Sequence, residues 1–504
     1  MTRILGLLIA LLGRCLACCF DSPSFGHTGI VSRVTKKAAL ILNTETAGVI
    51  QAAFRNADYP DIKGEKSMHL LGKVAYGLTN IHVNDLSIQN TEVDLREDQA
   101  IDLAIQNVSA SFNGTLSYGY VATWLAELIH YIDFEIESSI DLQISFKLIC
   151  RKERLAVDLL DCSLTFHKLN LHLQRDKEPG WLKQVFTNFI SFTLKLILQS
   201  RVCKEINSIS QLLTESVQDQ AAQFLEDGDI AVDLSPSLYP VIKANYLESY
   251  HKGLLLYKNY SDVLQGSPFT PALLPESQML YFWFAEHVIQ SLAIVSFLDQ
   301  RLALNITGEK LKEIFESEEL KTHQDTVQKI FQGTSYGDCV AKVWSLVIPQ
   351  ITFEPEGTVV KSSVAVELTA SSLEEEPSMV LYFETDAAVT VQASYVEKKL
   401  LLNLSHATAQ LRTTKGPPTL AVDNETLRHI LEKIILASGI PEVVSRIESA
   451  LNSLLDRREF YLYDISNVAI ITQRVSTTLF IWASSRMFRV ALKGCVWQRE
   501  PLGH

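Results

Sequence analysis

From Trp181 to Asp227 the chain contains no glycine or proline, and its apolar residues recur three and four apart. Trp181, Val185, Phe186, Phe189 and Ile190 open the series; Ile206, Ile209, Leu212, Leu213 and Val217 continue it. That spacing predicts a helix, which unbroken would span roughly 70 Å at 1.5 Å per residue. Its first half, through Leu198, is apolar around most of its circumference and its second half is polar on one side. Lys183 and Lys195 interrupt the run before about 18 clean apolar residues accumulate, so the pattern predicts a buried core helix, or one with protein on one side and an apolar ligand on another, and not a membrane span. A second long helix is predicted over Asn424–Leu455, bent at Gly439-Ile440-Pro441, and shorter ones over Ile41–Asn56 and Ala285–Leu298.

Elsewhere the period is two. Phe134, Ile136, Ile140, Leu142, Ile144 and Phe146 alternate with Asp133, Glu135, Glu137, Asp141 and Gln143. Shorter alternations cover Ile81/Val83, Leu86/Ile88, Val93/Leu95, Ile101–Ile105, Val108–Phe112 and Leu164–Leu173. These are strands with one wet and one apolar face, as in antiparallel sheets. Between Ser261 and Ser277, Pro268, Pro271 and Pro275 stiffen a linker and block strand pairing. Beyond it the order begins again: short helix, many strands through Leu400–Leu404, long helix, a final strand over Phe460–Thr472. The repetition predicts an architectural duplication of two similar lobes. The tail from Arg474 changes composition, with Arg486, Arg489, Lys493, Trp482 and Trp497, and reads as an amphipathic surface helix or a poorly ordered end.

Length and composition narrow the function. At 504 residues the chain exceeds one core. A mean hydropathy of +0.11 with 20% charged residues calls for extra buried apolar surface. A formal charge of −13 argues against nucleic acid and against bulk attraction to an anionic membrane. Arg3, the apolar Ile4–Leu12 and Cys15-Leu16-Ala17 read as a secretory signal, leaving a soluble extracellular protein with no transmembrane segment. Six Asn-x-Ser/Thr sequons agree with secretion: Asn107, Asn113, Asn259, Asn305, Asn403 and Asn424. Secretion also permits disulfides among Cys18, Cys19, Cys150, Cys162, Cys203, Cys339 and Cys495, without naming the pairs. No zinc-type His/Cys spacing occurs, so no metal or cofactor is expected. Gly333-Thr334-Ser335-Tyr336-Gly337 matches a nucleophile elbow, but that motif needs a strand before it and a helix after it; here a helical stretch precedes it, so a polar loop is expected.

Gly29-Ile30-Val31, Arg33-Val34-Thr35, Glu45, Ile50-Gln51 and Pro60 fall at the spacing of the signature of the secreted lipid transfer and lipopolysaccharide-binding family, with Thr28 and Ala39 departing from it. Longer segments, among them Tyr59–Glu65, Asp133–Ile144, Glu178–Leu196, Tyr246–Gly253 and Met279–Phe284, extend the resemblance over about residues 28 to 472. It implies an α+β fold: an elongated boomerang of two pseudo-symmetric antiparallel β-barrels with long helices, joined by a central β-sheet and enclosing a hydrophobic tunnel. The expected divisions are a signal over 1–17, an N-terminal barrel over 18–257, a linker over 258–276, a C-terminal barrel over 277–472 and a divergent tail over 473–504.

The function the resemblance implies is carriage of cholesteryl ester and triglyceride between plasma lipoproteins, by a monomer and without covalent chemistry. Phospholipid transfer or lipopolysaccharide binding on the same fold is the alternative, with an esterase using Ser335 more remote. The resemblance places Val31, Leu280, Phe282 and Phe284 on the tunnel wall and Gln218, Ser249 and His251 at a phospholipid head group, and pairs Cys162 with Cys203. The basic residue that relatives carry beside the first head-group position is Gln220 here. A cholesteryl ester offers almost no hydrogen-bonding capacity, so its site needs apolar area more than a polar constellation.

Overall fold

The computed structural model describes residues 25–483 apart from 69–71, 98–99, 122–128, 175–190, 227, 262–265, 319–320, 322–323, 326–327, 329–334, 336–337, 371–377, 398, 416–423, 458–464 and 475. In chain order, β1 (Ile30–Thr35) leads into α1 (Lys36–Asn56). Then come β2 (Ile62–Met68), β3 (Gly72–Ser87), β4 (Asn90–Arg96), β5 (Ala100–Val121), β6 (Ile129–Arg151), β7 (Arg154–Leu173) and α2 (Ser191–Leu225). Short strands close this half: β8 (Ile230–Asp233), β9 (Pro236–Ile242), β10 (Tyr246–His251), β11 (Leu254–Tyr257) and β12 (Tyr260–Ser261). The second half opens with β13 (Leu280–Ala285), α3 (Glu286–Leu298), β14 (Ala303–Thr307) and α4 (Glu309–Phe315). It continues through β15 (Cys339–Ser345), β16 (Gln350–Glu354), β17 (Gly357–Ala370), β18 (Ser378–Val396) and β19 (Lys399–Lys415). The last elements are α5 (Asn424–Ile434), α6 (Ile440–Arg457), β20 (Ile465–Gln473) and β21 (Ser476–Ala483).

Strand pairing makes the duplication explicit. The first lobe is an antiparallel sheet ordered β2-β3-β5-β6-β7, with β3 and β4 lying end to end along one edge of β5. The second is ordered β14-β15-β17-β18-β19, with β15 and β16 end to end along β17. Each curls around its own helices. In the first lobe, Ile136, Ile140, Leu142 and Ile144 of β6 close on Ile50 and Phe54 of α1 and on Leu194, Leu198, Val202, Ile206 and Ile209 of α2. In the second, Leu368, Leu381 and Leu411 close on Leu311 of α4 and on Leu427, Ile430 and Ile434 of α5. Between them lies a six-stranded sheet ordered β20-β21-β13-β1-β10-β9, whose central pair, β1 and β13, are the corresponding first strands of the two halves.

Three sequence expectations change. The alternations at Ile101–Ile105 and Val108–Phe112 are one strand, β5. Asn107, between them, takes φ 56° at a bulge, and the Asp141 carboxylate accepts its backbone N–H at 2.9 Å. The tail boundary moves as well: Ser476–Ala483 is neither a surface helix nor a loose end, but a strand in register with β13 from Leu280↔Ile481 to Ala285↔Ser476. Finally, α1 begins at Lys36, five residues before the helical period becomes visible. The predicted bend does appear, as a π turn over Ile435–Gly439 that ends two residues before Pro441, whose missing N–H removes one regular α-helical bond there. The Trp181–Ile190 part of the long helix lies outside the described residues.

The proline-rich linker is packed against the central sheet. Phe269 and Leu274 are buried against Val31, Tyr250, Tyr281 and Trp283. Beneath them, Arg33 is fully buried beside Glu248, donating from Nε to its Oε1 at 2.6 Å. The same guanidinium donates to the carbonyls of Pro271 at 2.7 Å, of Pro275 at 3.4 Å and of Leu274. Tyr250 donates its hydroxyl to Glu248 Oε2 at 2.6 Å, and both burial and that neighbouring carboxylate raise its pKa. Replacing Arg33 by Ala strands a buried carboxylate and three carbonyls, a loss of about 3–5 kcal/mol; Arg33→Lys recovers only part of it, because an ammonium cannot span the fork. Urea midpoints of the two variants check this, and an Arg33→Ala protein as stable as the parent would show that the network is dispensable.

Candidate functional site

Directly paired residues in an antiparallel sheet point to the same side. On the linker side of the central sheet stand Val31 and Arg33 of β1, Glu248 and Tyr250 of β10, and Tyr281 and Trp283 of β13. The other side carries Ile30, Ser32 and Val34; Leu247, Ser249 and His251; and Leu280, Phe282 and Phe284. The sheet therefore separates the four residues expected on one tunnel wall. Leu280, Phe282 and Phe284 share a face, while Val31, at 0% exposure, is sealed under the linker on the opposite one. The two faces differ in burial: Val34, Leu247, Phe282 and Phe284 are only half-buried, which leaves apolar area open on that side.

One polar row crosses this apolar face. Ser32 and Ser249 oxygens are 2.6 Å apart, Ser249 Oγ lies 3.0 Å from His251 Nε2, and His251 Nδ1 lies 2.8 Å from the Leu234 carbonyl. A carbonyl only accepts, so Nδ1 carries the proton and Nε2 of the neutral ring is an acceptor. Ser249 then donates to His251, and Ser32 to Ser249. Burial holds the His251 pKa below its ordinary value, partly offset by the Leu234 carbonyl and Asp233. The row is confined to one half of the sheet. In register with Phe282 and Leu280 on the other side of β13 stand Leu479 and Ile481, both apolar by type.

Gln218, expected beside Ser249 and His251, has its amide committed elsewhere. Its Oε1 accepts the Leu155 N–H at 3.0 Å, and its Nε2 donates to the Leu155 and Thr214 carbonyls at 2.8 and 3.0 Å. The Cys162–Cys203 disulfide is formed and ties β7 to α2; closing so long a loop contributes about 3–4 kcal/mol. Cys150 is also disulfide-bonded, and Cys339 is a buried free thiol. Ser335 is exposed and leads into β15, the reverse of the strand-then-helix order an elbow requires. Asn107, Asn259, Asn305 and Asn403 are exposed, with Asn259 in the turn between β11 and β12, whereas Asn113 is half-buried; Asn424 heads α5. Among the described residues no helix is long and apolar enough to cross a membrane.

Sequence reasoning missed Ser32. The signal was present: in Ile30–Thr35 the alternation sets Ile30, Ser32 and Val34 on one face, placing a hydroxyl among apolar side chains.

Sequence comparisons establish the family, and a structure comparison bears on the fold. The N-terminal-domain model of the LBP / BPI / CETP family matches residues 40–215, and its C-terminal-domain model matches residues 226–464. The cholesteryl ester transfer protein of Gallus gallus is 53% identical over 94% of this chain and 93% of its own. That of Homo sapiens is 47% identical over 93% and 94%. The lipopolysaccharide-binding protein of Mus musculus is 24% identical over 56% of this chain and 59% of its own. Among solved structures, a crystal structure of lipopolysaccharide binding protein superposes with a TM-score of 0.51 at 17% identity, over 91% of this chain and 99% of that one, which supports the two-lobed boomerang fold.

The His251 row makes a pH prediction. The folded ring binds a proton less readily than the unfolded one, so the unfolded state holds more protons once pH drops below about 6.5. Stability should be flat above that pH and fall below it, by at most about 1.4 kcal/mol per unit for this one group. His251→Gln should flatten the difference between urea midpoints at pH 7.5 and 5.5; an undiminished difference would assign the acid sensitivity to other groups.

Proposed function

Because the chain belongs to the LBP / BPI / CETP family, we propose that it carries cholesteryl ester and triglyceride between lipoprotein particles, with phospholipid as a second ligand. The observation that carries this is the two-sided central sheet: one face is sealed by the linker, and the other presents Phe282 and Phe284 half-buried beside the buried Leu280. The long hydrocarbon of a neutral lipid covers such a face at about 25 cal/mol per Å² without polar contacts. Close kinship to two cholesteryl ester transfer proteins over nearly the whole chain supports the same ligand class. The family carries lipid without covalent chemistry, and Ser335 precedes a strand instead of following one.

The polar row accounts for a phospholipid. Protonating His251 Nε2 reverses the hydrogen-bond chain, so that Ser249 donates to Ser32 and the Ser32 hydroxyl turns outward as a donor to a phosphate oxygen. An anion at Ser32 and a proton on His251 thus favour one another. The apolar positions across β13 suit acyl chains, which gives the bound lipid a direction. The acidic total charge disfavours a lipopolysaccharide, whose phosphates call for a cationic lobe. The signal-like stretch at 1–17 supports secretion, and the exposed sequons Asn107, Asn259 and Asn403 are the sites we assign to glycans, with Asn424 a fourth.

Mass spectrometry of lipid extracted from the purified protein should find cholesteryl ester or triglyceride together with phospholipid, and radiolabelled ester should move between lipoproteins. Phe282→Asp sets a charge on the lipid face and should lower ester transfer at least about tenfold. Ser335→Ala should leave it unchanged. A protein that retains phospholipid but neither neutral lipid would contradict the proposal.

A further inference from the structure

We propose that Gln218 and Asn452 are equivalent positioning residues for lipid carriage: side-chain amides that clamp the free edge of each lobe's last strand onto its long helix and so close the lobe wall. The inference rests on lipid lying inside the lobes. Its evidence is a repeated geometry. In the first lobe a tight turn with Lys152 and Glu153 at positive φ leads into β7, and Gln218, near the end of α2, bonds both the N–H and the carbonyl of Leu155, the second residue of that strand. In the second lobe a turn with Glu397 at positive φ leads into β19. There Asn452, near the end of α6, accepts the N–H of Leu400 and donates to its carbonyl, both at 2.8 Å. Leu400 is likewise the second residue of its strand. Two unlike sequences thus place an amide at one topological position, each making a two-bond mimic of the missing neighbouring strand.

The reason is physical. β7 and β19 end their sheets, and an edge residue facing apolar side chains leaves a donor and an acceptor that water cannot reach. A primary amide supplies both partners from one side chain. In Gln218 the second Nε2 hydrogen goes to Thr214, so no donor remains for a phosphate. This separates its role from that of Ser249 and His251.

The clamps are unequal. One turn before Asn452, Glu448 accepts the Leu402 N–H at 2.6 Å, and farther back Glu432 accepts that of Leu411 at 3.1 Å. In the first lobe the position one turn before Gln218 is Thr214, whose hydroxyl turns back to the Ser210 carbonyl. There the Cys162–Cys203 disulfide fixes the middle of the seam, and its end is held by Gln218 and by an exposed ion pair, Arg154 to Asp219 at 2.6 Å, whose solvent screening leaves it the weaker tie. The first lobe's seam should therefore open at Leu155.

Hydrogen–deuterium exchange on the full-length, lipid-loaded protein reads each clamp at Leu155 and Leu400, and dilution into phosphatidylcholine vesicles after loading with a fluorescent cholesteryl ester reads its consequence. Gln218→Leu should speed exchange at Leu155 about five- to tenfold, the loss expected for one buried hydrogen bond, and hasten ester release. Gln218→Glu, which keeps the acceptor and loses the donor, should fall between. Asn452→Leu should speed Leu400 exchange with less effect on release, because Glu448 and Glu432 still hold. Unchanged Leu155 exchange with a fall in bound phospholipid would make Gln218 a head-group contact and overturn the proposal. Faster exchange with unaltered release would overturn its role in carriage. A parent protein that takes up no ester would instead refute lipid carriage, while Leu155 exchange still reports on the clamp.

Discussion

The fold depends on a buried ion pair. Arg33 and Glu248, on neighbouring central strands, are among the least exposed side chains in the molecule, and a guanidinium so placed must satisfy nearly all its donors. It does so with Glu248 and with carbonyls that the linker supplies at Pro271, Leu274 and Pro275. Prolines suit that task, since each offers a carbonyl and brings no N–H that would need its own partner. The linker is thereby held on one face of the sheet, which leaves the other face with its half-buried apolar side chains uncovered by it. Thr35 adds to this from the same strand, its hydroxyl donating to the Gln278 carbonyl at 2.9 Å.

Much of this was legible in the chain. The alternation in β6 runs from Ile132 to Phe146 with one polar inward position, Ser138, and the apolar stripe of α2 follows the helical period, so both elements and the repeated order of element types could be read directly. What could not be read was facing. Val31 and Phe282 are equally apolar, and only the register of β1 against β13 shows that they point apart. Arg33 in isolation reads as a surface charge, because its partners are far away in sequence. Gln218 likewise shows nothing of Leu155. The strand at Ser476–Ala483 was hidden by composition: the basic residues around it outweighed the short alternation within it.

The two halves share a plan and differ in detail. The pseudo-twofold relating β1 to β13 passes near Ser32 and Phe282, so one hydroxyl and one ring occupy corresponding places. That single difference, extended by Ser249 and His251 on β10, converts a symmetric scaffold into a face with a polar and an apolar half. Duplication supplied the frame, and divergence at three or four positions supplied the direction.

The placement of β21 has a consequence for biosynthesis. β13 lies between β1 and β21, so one of its edges stays open until the ribosome has made some 190 further residues, about 10–40 s at ordinary elongation rates. Throughout that interval a strand rich in aromatic residues, Leu280–Ala285, offers unpaired backbone groups to any neighbouring nascent chain. The first lobe can be complete, oxidised at Cys162–Cys203 and packed, while the central sheet is still unfinished. Folding quality control would thus meet a molecule half mature and half adhesive, and the final strand, not the first lobe, would mark the moment at which it becomes safe to release.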